Sequence, residues 1–88
     1  MDDNKLDGNA AGGILQEIFP FEMTTVEGTC ASCGSTYQVG ALNVYISAIG
    51  TVIRCPSCDN VLIRIVKAKQ RYWLDMQGVR ALQIVAKP

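Results

Sequence analysis

Apolar residues near the start of the chain recur at intervals of three and four, the spacing of one helix face. This stripe consists of Ala10, Ala11, Ile14, Leu15, Ile18 and Phe19. Asp7 precedes it as a helix cap, and Pro20 ends it because proline cannot continue a helix. The pattern predicts one short N-terminal helix. This helix must pack against the rest of the protein to remain folded, because the interior glycines Gly8, Gly12 and Gly13 each lower helix stability by roughly 1 kcal/mol.

Beyond Pro20 the apolar period changes from helical spacing to two, which is typical of strands. Phe21, Met23 and Thr25 alternate with polar neighbours in this way. Further strands are predicted over residues 42–47, Thr51–Arg54, 61–66 and 71–76, with turns at Gly50 and at Asp59-Asn60. Residues 79–85 fit either a strand or a short helix, and the strand is favoured.

The predicted strand over residues 71–76 has two distinct faces. Tyr72, Leu74 and Met76 share one face, whereas Trp73 falls between Arg71 and Asp75 on the other. Together the elements predict a mainly β (small α+β) fold of antiparallel hairpins with one short N-terminal helix. We expect residues 1–5 to form a disordered terminus and residues 6–88 to form a single domain.

A chain of 88 residues is small for a domain that depends on its apolar core alone. It buries only about 60–65% of the surface that the unfolded chain exposes, so a covalent or metal staple is expected. A hydrophobic content of 49% excludes low-complexity disorder. The sequence shows no secretory signal and no membrane span, so we expect a cytoplasmic protein without membrane contacts.

The formal net charge is zero, but the charges are unevenly distributed. Residues 1–29 carry six acidic side chains against one lysine, a net −5, whereas residues 30–88 carry seven basic against two acidic side chains, a net +5. A general electrostatic attraction to nucleic acid is therefore excluded, although a local basic surface is not.

Four cysteines form two CxxC pairs, Cys30 with Cys33 and Cys55 with Cys58, separated by 21 residues. In a reducing compartment such pairs indicate a metal rather than disulfides, and four thiolates suit tetrahedral zinc. We therefore expect one structural Zn²⁺. An iron site of the rubredoxin type has the same ligands and stays open as an alternative, and a dithiol redox pair is less favoured.

Other sequence features argue against an enzyme. The chain contains no histidine, and four cysteines would leave a bound metal without an open coordination position for catalysis. The glycine-rich segment at residues 8–13 lacks the Lys-Ser/Thr ending of a phosphate-binding loop. Arg54, directly before Cys55, is interpreted as offsetting the negative charge of a metal–thiolate cluster.

Beyond the cysteine pairs, several stretches resemble a small bacterial family of zinc-ribbon proteins of unknown function. They are LDGNA at residues 6–10, CASCG at 30–34, GTVIRCPSC at 50–58 and WLDMQG at 73–78. The likeness covers nearly the whole chain. It implies metal binding and a zinc-ribbon fold, in which two cysteine turns lie on antiparallel hairpins, and it implies no activity.

Two binding hypotheses follow from the exposed pattern, and a protein-interaction adaptor is slightly favoured. Its contact residues would be the apolar helix positions Ile14, Leu15, Ile18 and Phe19. The competing interpretation, that this face packs on the chain's own sheet, is favoured over it because a small ribbon needs the cover.

The second hypothesis is a nucleic-acid-binding zinc ribbon. Basic residues cluster beside an aromatic one at a predicted hairpin, namely Arg64, Lys67, Lys69, Arg71 and Trp73. A solvated turn is the favoured interpretation of the same residues, since the chain lacks the basic pI of dedicated binders. A rubredoxin-like electron carrier, loaded with iron, is the third hypothesis.

Overall fold

The computed structural model describes residues 5–85. Within this range the chain forms eight strands in two antiparallel sheets. The strands are β1 (Lys5–Asp7), β2 (Glu27–Cys30), β3 (Thr36–Gln38), β4 (Asn43–Ile46), β5 (Thr51–Arg54), β6 (Val61–Ala68), β7 (Arg71–Asp75) and β8 (Val79–Gln83). The large sheet has the order β1-β4-β5-β6-β7, and the small sheet has the order β3-β2-β8. The predicted mainly β fold of antiparallel hairpins is confirmed.

The predicted N-terminal helix is present as a 3₁₀ segment, Gly8–Ala11, that runs directly into α1 (Gly12–Ile18). The Asp7 carboxylate accepts a hydrogen bond of 3.0 Å from the backbone N–H of Asn9, so Asp7 caps the segment as predicted. The helix ends before Phe19, whose backbone is extended, as the residue before a proline prefers to be. None of the helices in residues 5–85 is long and apolar enough to span a membrane.

The apolar core includes residues of α1 and of strands β4, β5 and β6, and it reaches the small sheet at Cys30, the last residue of β2. Its buried members are Ala11, Leu15, Met23, Val26, Cys30, Val39, Leu42, Val44, Ile53, Cys55, Leu62, Ile63 and Ile65. Two of the four cysteines belong to it, so the cysteine cluster is continuous with the core. Alternation along the strands leaves the second face of the large sheet toward solvent.

Several predicted boundaries are close to the structure. Residues Thr51–Arg54 form β5 as expected, and the last segment is a strand, Val79–Gln83. The strand predicted over residues 61–66 continues to Ala68, because its pairing with β7 extends to Arg71.

The strand predicted at Phe21, Met23 and Thr25 is wrong. Residues Met23–Thr25 form a 3₁₀ turn instead, in which the backbone N–H and the hydroxyl of Thr25 both donate to the carbonyl of Glu22. The local hydrogen bond of the Thr25 side chain thus takes the place of backbone pairing with a neighbouring strand. Of the terminus predicted to be disordered, residues 1–4 lie outside the described range, whereas Lys5 begins β1 and pairs with Tyr45.

The chain passes from the large sheet to the small one at Gly78, between β7 and β8. A Cβ atom at this position would lie 2.0 Å from the carbonyl oxygen of Val61 in β6. Only glycine allows the two backbones to approach so closely. The Gly78 carbonyl accepts a hydrogen bond of 2.9 Å from the N–H of Ala31, so this crossover touches both sheets beside the cysteines.

Candidate metal centre

Each cysteine pair lies in the turn of a β-hairpin. Cys30 ends β2 in the small sheet, and its pair leads toward β3. Cys55 follows β5 in the large sheet, and its pair leads into β6. The four cysteines are therefore contributed by two hairpins from different sheets, and anything held between them joins the sheets.

The two turns are built in the same way. In the first, the N–H of Gly34 donates to the Cys30 carbonyl at 2.9 Å. In the second, the N–H of Asp59 donates to the Cys55 carbonyl at 2.8 Å. Gly34 and Asp59, each directly after the second cysteine of its pair, have left-handed backbones with φ of 78° and 64°. Two matching turns that face each other give the cluster a local two-fold symmetry.

The sulfur atoms are close together without being bonded. All four Sγ atoms lie within 4.8 Å of one another. The Sγ atoms of Cys30 and Cys58 are 3.7 Å apart, and those of Cys33 and Cys55 are 3.6 Å apart. A tetrahedral zinc site with Zn–S bonds of about 2.3 Å has sulfur–sulfur edges of about 3.8 Å. The four thiols therefore fit a tetrahedral metal ion, and the spacing is far too long for disulfides.

The thiols influence one another's ionisation. Hydrogen bonds from the Ser35 side chain and backbone lower the pKa of Cys33 to about 6. At Cys58 a backbone hydrogen bond from Asn60 lowers the pKa, but desolvation and the neighbouring thiols outweigh it and raise the pKa to about 11. Four thiolates in one place repel one another unless a cation joins them. The donor set thus suits a divalent metal ion.

Burial divides the ligands into two kinds. Cys30 and Cys55, the first residue of each pair, are buried, whereas Cys33 and Cys58 are exposed. The cluster is therefore fixed to the core on one side and reaches the surface on the other.

Neighbouring side chains brace the two turns. The hydroxyl groups of Tyr37 in β3 and Ser57 in the second turn are hydrogen-bonded, so they connect the two hairpins. The Arg54 guanidinium donates to the carbonyl of Asp59 at 2.9 Å and lies 3.8 Å from its carboxylate. Arg54 therefore stabilises the left-handed residue of the second turn, a role that the sequence pattern did not reveal.

The helix face predicted to contact a protein partner is packed within the chain. Leu15 is 1% exposed, and Ile14, Ile18 and Phe19 are partly buried against the core. Leu15 is thus buried in the apolar core and offers almost no surface to a partner. The helix face therefore packs on the chain's own core, and Glu17 of the same helix is hydrogen-bonded to Lys67 of β6 and Tyr72 of β7.

The basic residues predicted to contact nucleic acid do not share one face. The Lys67 ammonium donates to the Glu17 carboxylate of α1 at 2.9 Å, and Tyr72 donates to the same oxygen atom. Lys67 therefore lies on the helix side of the sheet. Arg64 and Trp73 alternate to the opposite side of strands β6 and β7. Lys67 and Arg64 therefore lie on opposite faces of the large sheet.

Two hairpins that bring four cysteines together, joined to a small β core, define a cysteine-clustered β domain suited to metal binding. Comparison with known families agrees with the sequence resemblance in part. The model of a family of unknown function, DUF6510, matches residues 2–87, so the chain belongs to that family. No curated protein and no solved structure matches it.

Proposed function

We propose that this protein is a small zinc-binding module that acts by binding a partner. In this proposal one structural Zn²⁺ is held by Cys30, Cys33, Cys55 and Cys58 and fixes the small sheet against the large one. The clustering of all four Sγ atoms within 4.8 Å supports the proposal most directly, and two of the sulfur pairs, at 3.6 and 3.7 Å, match the edge of a tetrahedral zinc site to within about 0.2 Å.

The energetic role of the metal follows from the size of the core. Binding of Zn²⁺ to four-ligand peptides is worth roughly 10–16 kcal/mol at neutral pH. This exceeds the entire folding free energy of many small domains, which is about 5–15 kcal/mol. A cytoplasmic location suits such a site, because a reducing environment keeps the thiols available to the metal.

A binding role, rather than catalysis, agrees with a metal whose coordination shell is filled by protein ligands. Four protein ligands fill a tetrahedral shell, so the metal would supply stability rather than an open position for a substrate. The helix face is packed within the chain. We therefore propose that a partner uses the exposed part of the large sheet.

The experiment is native mass spectrometry with elemental analysis of untagged protein. We expect one zinc per chain, and loss of the metal when Cys33 is changed to Ser. Ser32→Ala, in the same turn, is the matched control and should keep the metal. Iron at the same stoichiometry would replace this proposal with the electron carrier, which has the same four ligands. A folded chain without metal would contradict both.

A further inference from the structure

The face of the large sheet that points away from α1 is open to solvent, and we call it the outer sheet face. Strand register places these side chains together: Tyr45, Val52, Arg64, Val66, Arg71, Trp73 and Asp75. Tyr45, Val52 and Arg64 lie opposite one another on β4, β5 and β6, and Val66 lies opposite Trp73. Arg64, Arg71 and Trp73 are exposed and the others are half-buried, in contrast to the buried Ile53 and Ile63 of the inner face.

Trp73 is the most unusual member of the outer sheet face. It is 55% exposed, although its strand neighbours Tyr72 and Leu74 pack against the core. The indole lies beside the half-buried Val66 and lines a shallow depression with Lys69 and Arg71. A large exposed ring loses more water-contacting area on binding than most other side chains, so this position suits a flat partner.

The carboxylate of Asp75 shares the outer sheet face with Trp73 and lies opposite Arg64, on the side of Trp73 away from Lys69 and Arg71. The ion pairs within residues 5–85 join Arg54 to Asp59 and Lys67 to Glu17, and they leave Lys69 and Arg71 without a carboxylate partner in that range. Lys69 is held outward at the turn between β6 and β7 by a left-handed backbone with φ of 57°. Two cations thus stand next to the exposed indole.

A second aromatic side chain extends the surface across the sheet. Tyr45 lies on β4, three strands from Trp73, or roughly 14 Å at the usual strand spacing. The guanidinium carbon of Arg54 lies 5.8 Å from the centre of the Tyr45 ring, which holds an arginine over that end of the face. Aromatic rings and arginines therefore occur at both ends of one open sheet.

We propose that the outer sheet face binds single-stranded nucleic acid. A base would stack on Trp73 while its neighbouring phosphates meet Lys69 and Arg71, and the strand would continue toward Tyr45. Single strands are held in this way, by rings for the bases and cations for the phosphates. An acidic peptide would satisfy the cations, but only some of its side chains carry a ring, whereas every nucleotide carries a base that can stack on the indole.

The inference rests on the proposed function, because in that proposal the chain folds only with zinc bound. The test therefore uses protein that carries one zinc per chain. Trp73 is the single tryptophan of the chain, so its fluorescence reports on this site alone. A zinc-loaded protein that fails to bind overturns this inference only, whereas a chain that takes no zinc overturns the proposed function.

The measurement is a titration with a twenty-nucleotide oligothymidine and with an oligouridine of equal length. We expect saturable quenching of Trp73 fluorescence and an affinity that falls about sevenfold to twentyfold between 50 and 200 mM salt, as about two to three phosphate contacts predict. Absence of quenching up to millimolar oligonucleotide would overturn the inference.

Two variants of equal charge localise the binding. Lys69→Ala with Arg71→Ala should weaken the affinity about tenfold or more. Lys67→Ala with Arg80→Ala removes the same charge from the helix side and the small sheet, and it should leave binding within about twofold. Equal losses in both variants would show a non-specific charge effect and overturn the inference.

The role of the ring is tested with a fluorophore-labelled oligonucleotide, which does not need the tryptophan signal. Trp73→Ala should weaken binding about tenfold, and Trp73→Phe should retain part of the affinity. Binding of polyglutamate in preference to the oligonucleotide would overturn the inference in favour of an acidic peptide. Self-association that buries Trp73, measured by sedimentation, would overturn it in favour of a second copy.

Discussion

Gly34 and Asp59 occupy equivalent positions in the two cysteine turns. Both have left-handed backbones, which most L-residues avoid and which glycine, asparagine and aspartate tolerate best. The space beside Gly34 is open, since no atom lies within 4 Å of a Cβ built there. Substitutions at Gly34 therefore test backbone conformation without a steric clash.

Gly34→Val should destabilise the zinc-loaded protein by about 1–2 kcal/mol, because a β-branched residue is strained in the left-handed region. Gly34→Asn should cost less than about 1 kcal/mol, since asparagine resembles Asp59 in this respect. Urea unfolding at a fixed zinc concentration measures both.

The control for this pair is Ala31→Val in the same turn, which adds the same branched side chain at an exposed position. Equal effects of valine and asparagine at Gly34 would show that backbone handedness does not determine the stability of the turn.

At the scale of elements, α1 is attached to the β6–β7 hairpin through Glu17. Lys67 and Tyr72 both donate to its carboxylate, and these hydrogen bonds, Lys67 first, lower the pKa of Glu17. The same contact raises the pKa of Lys67 above its ordinary value of 10.5. Contacts of this kind lie at the surface and are partly screened by solvent.

Glu17→Gln should lower stability at neutral pH, and the difference from the wild type should depend on pH. A group with a raised pKa contributes stability that is fully present below its unfolded pKa and is lost as pH rises through the folded value. The pKa of Tyr72 is raised by the same carboxylate, so the contributions of Lys67 and Tyr72 should both persist to about pH 10 and decline at higher pH. Urea unfolding between pH 7 and pH 11 measures this.

At acidic pH the contribution of Glu17 to stability changes in the opposite direction. The lowered pKa of Glu17 gives stability that is present above its ordinary value of 4.5 and is lost as pH falls through the folded value. The cysteine ligands of a metal also become protonated in acid, which would lower stability for a separate reason. The contact of Glu17 is therefore better measured at alkaline pH. Glu27→Gln, at an exposed position of β2, is the control. A difference that is unchanged at pH 11 would contradict the assigned contact.

Gly78 and Gly13 allow the same substitution in opposite environments. Gly78→Ala should destabilise the protein by about 1–3 kcal/mol or more, because its methyl group would overlap the Val61 carbonyl. Gly13→Ala should stabilise by about 0.5–1 kcal/mol, because it lies in α1 with open space around the new methyl group.

Thermal unfolding of both alanine variants, with zinc in excess, measures these two changes in stability. Gly78→Ala should also weaken zinc retention against a chelator, since the Gly78 carbonyl holds Ala31 in the first cysteine turn. Similar stability of the two variants would contradict the close backbone approach at the crossover.

The elements that the sequence predicted well have strong periodicity or clear end signals. The helix face, the strand Thr51–Arg54 and the alternation around Trp73 belong to this group. The failures are short segments without such a signal. β3 has three residues, and the Met23–Thr25 turn forms because the Thr25 hydroxyl bonds locally, in a segment whose apolar spacing is that of a strand.

At the scale of the whole molecule, the cysteine spacing alone was enough to predict which four side chains meet. The sequence could not assign the basic residues to faces, because Lys67 pairs with Glu17, fifty positions away. Nor did it show that Tyr45 and Trp73 lie on one surface, since that depends on the order of four adjacent strands. Contacts between residues that are distant in sequence can be identified only once the fold is known.

The central claim is that a metal ion joins the two sheets and thereby determines whether the chain folds. Far-ultraviolet circular dichroism and proton NMR during titration with a strong chelator test this directly. We expect cooperative loss of the dispersed spectrum as zinc is removed and its return when one equivalent of Zn²⁺ is restored. A chain that keeps its dispersed spectrum after complete metal removal would contradict the claim.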